Sequence, residues 1–240
     1  MIDAAERIVA EQGFPALTLR AVQEAAGQSN KSAANYHFGS RDGLIAAILD
    51  ERMAPVSAHR RDLLDAIAAR FALPGAEPSP GAAPPSPPRQ TGEPARADGP
   101  LLRALTDALV VPLARRVFGV PDSAYARFLA QSLVSPELAA IVAERATRFT
   151  VAETQRLMVR VLCAGALVPG LDADTARWRA DCLVGHMIGA LADAEPHSTP
   201  ARGRLITARL TDTCFGLLTA PASAITDDPA PGAAPTATEE

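Results

Sequence analysis

Residues 17–38 read LTLRAVQEAAGQSNKSAANYHF, and the fold is decided in this stretch. Thr18 is placed to cap a helix whose apolar members, Leu19, Val22 and Ala26, share one face and whose end is marked by Gly27. A second short helix is expected at about 30–37. Two such helices joined by a tight turn predict a helix-turn-helix, the unit whose second helix lies in a DNA major groove. The segment 28–37 is unusually polar: Gln28, Ser29, Asn30, Lys31, Ser32, Asn35, Tyr36 and His37 leave Ala33 and Ala34 as its apolar members. A helix built for a core would not carry so many donors. Amides suit base edges, whereas hydroxyl and cationic groups suit phosphates. Lys31 is the one lysine in the chain, against 22 arginines. A merely solvated helix face would account for a lone lysine, but not for this density of short donors beside a Tyr-His pair.

Outward from this unit the pattern stays helical. Ile2, Ala5, Ile8 and Val9 form a stripe that stops at Gly13. Ser40 caps a longer helix with Asp42 in its first turn, and Leu44, Ile45, Ile48, Leu49 and Met53 form its apolar face. Pro55 is expected to kink or end that helix, and the stripe resumes at Leu63, Leu64 and Ile67. Further helices are expected at about 101–118, 122–133, 136–164, 173–194 and 200–219. Residues 74–100, rich in Pro, Gly and Ala, read as a disordered internal loop, and 220–240 as a disordered tail. Neither an alternating strand pattern nor an internal repeat is present, so the fold class is all-α.

Composition limits the function. Apolar residues make up 48% of the 240 but aromatics only 4%, which favours helices over strands. The net charge is −4, and residues 1–60 carry six Lys/Arg against seven Asp/Glu. DNA binding must therefore rest on the placement of a few positive groups and on two copies of the chain. No apolar run is long enough to span a bilayer, and the amino terminus lacks the layout of a signal peptide, so a cytoplasmic protein without membrane contact is expected. Cys163, Cys182 and Cys214 are too widely spaced for a zinc site and odd in number, so buried free thiols are expected, with neither metal nor cofactor. No converging acid, base or nucleophile set accompanies His59, His186 or His197, so an enzyme is not expected.

Residues 4–49, AAERIVAEQGFPALTLRAVQEAAGQSNKSAANYHFGSRDGLIAAIL, resemble the N-terminal domain of the tetracycline-repressor (TetR) family. The resemblance lies in AAERIVAEQG, Thr18-Leu19-Arg20, Ala25-Ala26-Gly27, Tyr36-His37-Phe38 and Gly39-Ser40-Arg41-Asp42-Gly43-Leu44. It implies a three-helix DNA-binding head over residues 1–50. A larger helical domain for ligand binding and dimerisation would follow over 51–219. It also implies a homodimer paired through about 173–194 and 200–219, bound to double-stranded palindromic operator DNA and released by a small-molecule effector. Thr18, Tyr36, His37 and Arg41 would hold phosphates, and Gln28, Ser29, Asn30, Lys31, Ser32 and Asn35 would supply the base-reading end. Gly27 to His37 is one residue longer than the common family spacing, so the turn or the first helical residue must absorb an insertion. Polar contacts to an effector would come from Arg127, Gln131, Arg156, Trp178 and His186. A regulator governed by a protein partner or by abundance is the alternative.

Overall fold

The computed structural model describes residues 1–30, 32–73, 95–148, 150–197 and 199–222; Lys31, most of the Pro-rich segment and most of the tail lie outside these. Ten α-helices make up the described residues, with no strand among them. The head consists of α1 (Ile2–Gln12), α2 (Leu19–Ala25), α3 (Ala33–Phe38) and the start of α4 (Arg41–Phe71). The body adds α5 (Ala95–Phe118), α6 (Tyr125–Leu133), α7 (Ala139–Arg148), α8 (Val151–Cys163), α9 (Ala173–Ala194) and α10 (Pro200–Thr219). Among the described residues no helix is long and apolar enough to cross a membrane.

Three boundaries differ from the sequence expectation. First, α4 runs unbroken through Pro55, because that residue is exposed and the carbonyl it deprives of an N–H, Glu51, also lies on an exposed turn. A division at 50/51 therefore falls inside a helix, and one hydrophobic core runs from Val9 and Leu44 through to Leu191 and Leu218. Second, residues 95–100, expected in the loop, open α5, and Pro100 sits close enough to its start that the missing bond falls in the first turns. Third, the span 136–164 is two helices. Thr150 has φ 63, an unusual conformation for a β-branched residue, and turns the chain between α7 and α8.

The conformation of Thr150 is supported from α4. Pro112 lies inside α5, where it cannot donate to the carbonyl of Ala108 four residues earlier. Arg60 supplies the donor: its Nε lies 3.2 Å from the Ala108 oxygen, and its Nη1 donates to the Thr150 hydroxyl at 3.4 Å. Burial lowers the Arg60 guanidinium to about 10, which leaves it charged at neutral pH. One buried side chain thus satisfies both a proline-orphaned carbonyl and a strained turn.

Side-chain contacts tie the head to the body. Phe14 meets Phe128 of α6 edge-on with ring centroids 5.4 Å apart. Buried Glu6 of α1 accepts from Arg52 Nε of α4 at 2.7 Å, and Arg52 also bonds Asp3. Desolvation raises the Glu6 carboxyl above its usual range, with Arg52 opposing the shift.

The cysteines are all free but not all buried: Cys163 is exposed at the end of α8, Cys182 is half-buried on α9, and Cys214 is enclosed in α10. Burial pushes the Cys214 thiol up to about 11. At pH 8 roughly one in a thousand of these thiols is ionised, and the thiolate is the reactive form. A thiol-reagent titration of the native protein at pH 8 should modify Cys163 within minutes and reach Cys214 only on unfolding. Equal rates at the two sites would mean that α10 does not pack as described.

Candidate nucleic-acid interface

Thr18 accepts from Ala21 N at 3.0 Å and so opens α2, as its position predicted. The other end closes on Gly27, whose φ of 65 suits a residue without a Cβ. Gly27 N donates to Glu24 O at 3.1 Å and Gln28 N to Gln23 O at 3.0 Å, the two bonds of a Schellman cap. Gln23, itself buried, reaches across with its amide to the Asn30 carbonyl at 3.4 Å and fixes the turn.

The second helix starts later than 30. Gln28, Ser29 and Asn30 lie in the turn, and Ser32 stands at the N-cap of the six-residue α3. Asn30 Oδ1 accepts from Ser32 N at 3.0 Å, and Ala33 N bonds the Asn30 carbonyl at 3.1 Å. The amide of Asn30 is thus engaged in shaping the turn.

From Ala33 onward the polarity has a geometric meaning. Ala34 is buried against the head, whereas Asn35, Tyr36 and His37 are exposed. Tyr36 is 86% exposed and its ring meets His37 edge-on at 5.4 Å. An aromatic left so bare gains nothing for the fold, and a phenol on a helix presented to solvent can donate to a phosphate. Gln28, Ser29 and Ser32 are also exposed, so polar side chains of the turn as well as of the helix face solvent.

Arg41 is placed differently from the expectation. Its Nη2 donates to the Phe14 carbonyl at 2.8 Å, its guanidinium stands 6.0 Å over the Phe14 ring, and Nη1 lies 3.5 Å from Glu137 of the body. The side chain joins head to body, and its fork faces the protein.

The structure does not bring the five effector candidates together. Arg127 is bound by Glu195, whose buried carboxylate also accepts from Ser123 Oγ at 2.8 Å and Ala126 N at 3.0 Å and so caps α6 from another element. Gln131 is exposed, and exposed Arg156 donates to its own helix at the Ala152 carbonyl. Trp178, 65% exposed, and His186 lie on the outer face of α9. Periodicity identified polar residues on these helices but could not say which way each helix turns. Arg127 and Arg156 line separate clefts of about 740 Å³ each, and a smaller cavity of about 110 Å³ lies among α4–α9, walled by Leu49, Met53, Leu113, Leu129, Met187 and Ile188.

Residues 1–48 match the family model described as "Bacterial regulatory proteins, tetR family". Among curated proteins none matches the chain. The matched span holds the whole path from α1 through the capped turn and the exposed α3 to the first turns of α4. Residues 1–48 are thus similar to the helix-turn-helix head of tetR-family DNA-binding transcriptional regulators, and a helical region follows them.

Proposed function

We propose that the protein is a homodimeric repressor that binds a palindromic operator through α3 and the turn before it, and that a small molecule in the body releases it. The observation carrying this reading is the cavity walled by Leu49 and Met53, because both residues sit on α4, whose first turn buttresses α3. An occupant that displaces α4 changes the spacing of two recognition helices, which on one DNA face must lie about 34–36 Å apart. The alternative, a regulator governed by a protein partner or by abundance, predicts a body in which this space of about 110 Å³ stays without a ligand.

Dimerisation is assigned to the outer faces of α9 and α10. Trp178, Cys182, Gly185, His186 and Gly189 recur at helical spacing on α9, and exposed Leu205 lies on α10. A Cβ added at Gly185 or Gly189 would meet nothing within 4 Å, so that stripe is open to a second helix.

The DNA face is tested by Tyr36→Ala. Because the ring supports nothing in the fold, thermal stability should stay within about 0.5 kcal/mol. Affinity for the duplex upstream of its own gene should fall roughly 10- to 100-fold by fluorescence anisotropy. Lys31→Ala should lower the slope of log affinity against log salt by about one. Unchanged binding in both variants would remove this surface from contention.

A further inference from the structure

Resting on the effector reading above, we infer that the body cavity takes an uncharged, apolar molecule about the size of one six-membered ring. Its wall is built from leucine, isoleucine, valine and methionine side chains, among them Leu49, Met53, Leu113, Leu129, Met187 and Ile188. Three polar residues reach it: Arg60 and Ser132 are hydrogen-bonded within the protein, and Arg145 has its charge balanced by Asp50 and Glu144 although its buried Nε makes no hydrogen bond. Arg60 donates to the Ala108 carbonyl and the Thr150 hydroxyl. Ser132 donates its hydroxyl proton to the Leu129 carbonyl at 2.7 Å. Arg145 pairs with Glu144 at 2.8 Å and with Asp50 of α4 at 3.4 Å.

A charged ligand would have to bury its charge against carbon or compete with Asp50 and Glu144 for Arg145, and either weakens its binding. An apolar one displaces little and gains dispersion contacts on every side. Size follows from volume. An engineered cavity of about 150 Å³ lined by Leu, Ile and Phe binds benzene, so a space of about 110 Å³ accepts one ring after a small outward movement of its wall. Met53 and Met187, unbranched and adaptable, supply that movement.

The test uses the full chain labelled with ¹³C at its four methionine methyls and three probes of one ring size, toluene, benzoate and benzylamine. Toluene should shift the Met53 and Met187 methyl signals in a saturable way and leave Met1 unmoved. Benzoate and benzylamine should bind at least about tenfold more weakly. Val184→Phe, which places a ring in the space, should abolish the toluene response; should that variant fail to fold, the parent titration still decides. Benzoate or benzylamine shifting the two methyls as strongly as toluene would overturn the inferred ligand class while leaving the effector site in place. No response of Met53 and Met187 to any probe would overturn both the ligand class and the effector reading of this cavity.

Discussion

Arg60→Leu should lower the unfolding free energy by about 3 kcal/mol, and Pro112→Ala in the same chain should restore part of the loss. The leucine fills much of the arginine's volume, so the cavity contribution stays small. What remains is the cost of a buried carbonyl at Ala108 losing its donor, about 1–3 kcal/mol, and a smaller cost at Thr150, whose hydroxyl loses Arg60 but keeps Ser57 Oγ at 3.3 Å. For a chain of this size, each kcal/mol moves Tm by roughly 2–4 °C, so a drop of roughly 6–12 °C is expected in thermal denaturation followed by circular dichroism. The Pro112→Ala change returns an N–H to position 112 and lets α5 satisfy Ala108 internally. The Arg60→Leu cost measured in the Pro112→Ala background should therefore be smaller by about 1–2 kcal/mol, a coupling within the range seen for residues sharing one hydrogen-bond network. Strict additivity would mean that Arg60 is held there for a reason other than the orphaned carbonyl. Weakening of the Thr150 turn should also loosen α7, whose Arg145 pairs with Asp50 on α4.

The pairing of Arg60 with Pro112 shows where the sequence stops being readable. Helix caps are local, and Thr18, Gly27 and Ser40 were placed correctly from their immediate neighbours, because a cap satisfies N–H groups two or three residues away. The helical stripe of α4 was legible for the same reason. Arg60 and Ala108 are 48 residues apart, and no local rule connects a proline in one helix to an arginine in another. Pro55 illustrates the complementary limit: its effect depends on whether the deprived carbonyl faces water, which the sequence does not state. The polarity of 28–37 was visible, but the division between turn and helix was not. Gly27 to Ser32 could be either until the Asn30 side chain is seen to fold back on Ser32. The five polar effector candidates lie on separate faces of the body, while the cavity walled by Leu49 and Met53 is lined by apolar residues that periodicity assigns to an ordinary core.

The residue most sensitive to change in the head is Gly43, a position the family pattern contains without explaining. α3 ends at Phe38, and only Gly39 and Ser40 separate it from α4. To turn so sharply, Ser40 N bonds the Phe38 carbonyl at 2.7 Å, and Ser40 Oγ accepts from Gly43 N at 3.0 Å. The Phe38 oxygen then lies against the Cα of Gly43, where an added Cβ would stand 2.1 Å from it. Both atoms belong to rigid elements, so no rotamer change relieves the overlap. In Gly43→Ala the Phe38 carbonyl must move by about an ångström, and the six residues of α3 move with it. The expected loss of stability is about 1–3 kcal/mol, in line with other overpacked sites, and the head should remain folded because its core residues are untouched. DNA binding should suffer far more than stability. Helix placement governs several contacts at once, and in the proposed homodimer it does so twice, so affinity for the upstream duplex should drop by more than about 100-fold, with the salt dependence of the residual binding flattened as phosphate contacts are lost. Anisotropy titrations at two salt concentrations, with circular dichroism to verify folding, separate the effects. A folded Gly43→Ala chain that retained the parent's affinity and salt slope would show that the position of α3 does not set the DNA contact, and the turn at 28–32 would then have to carry it.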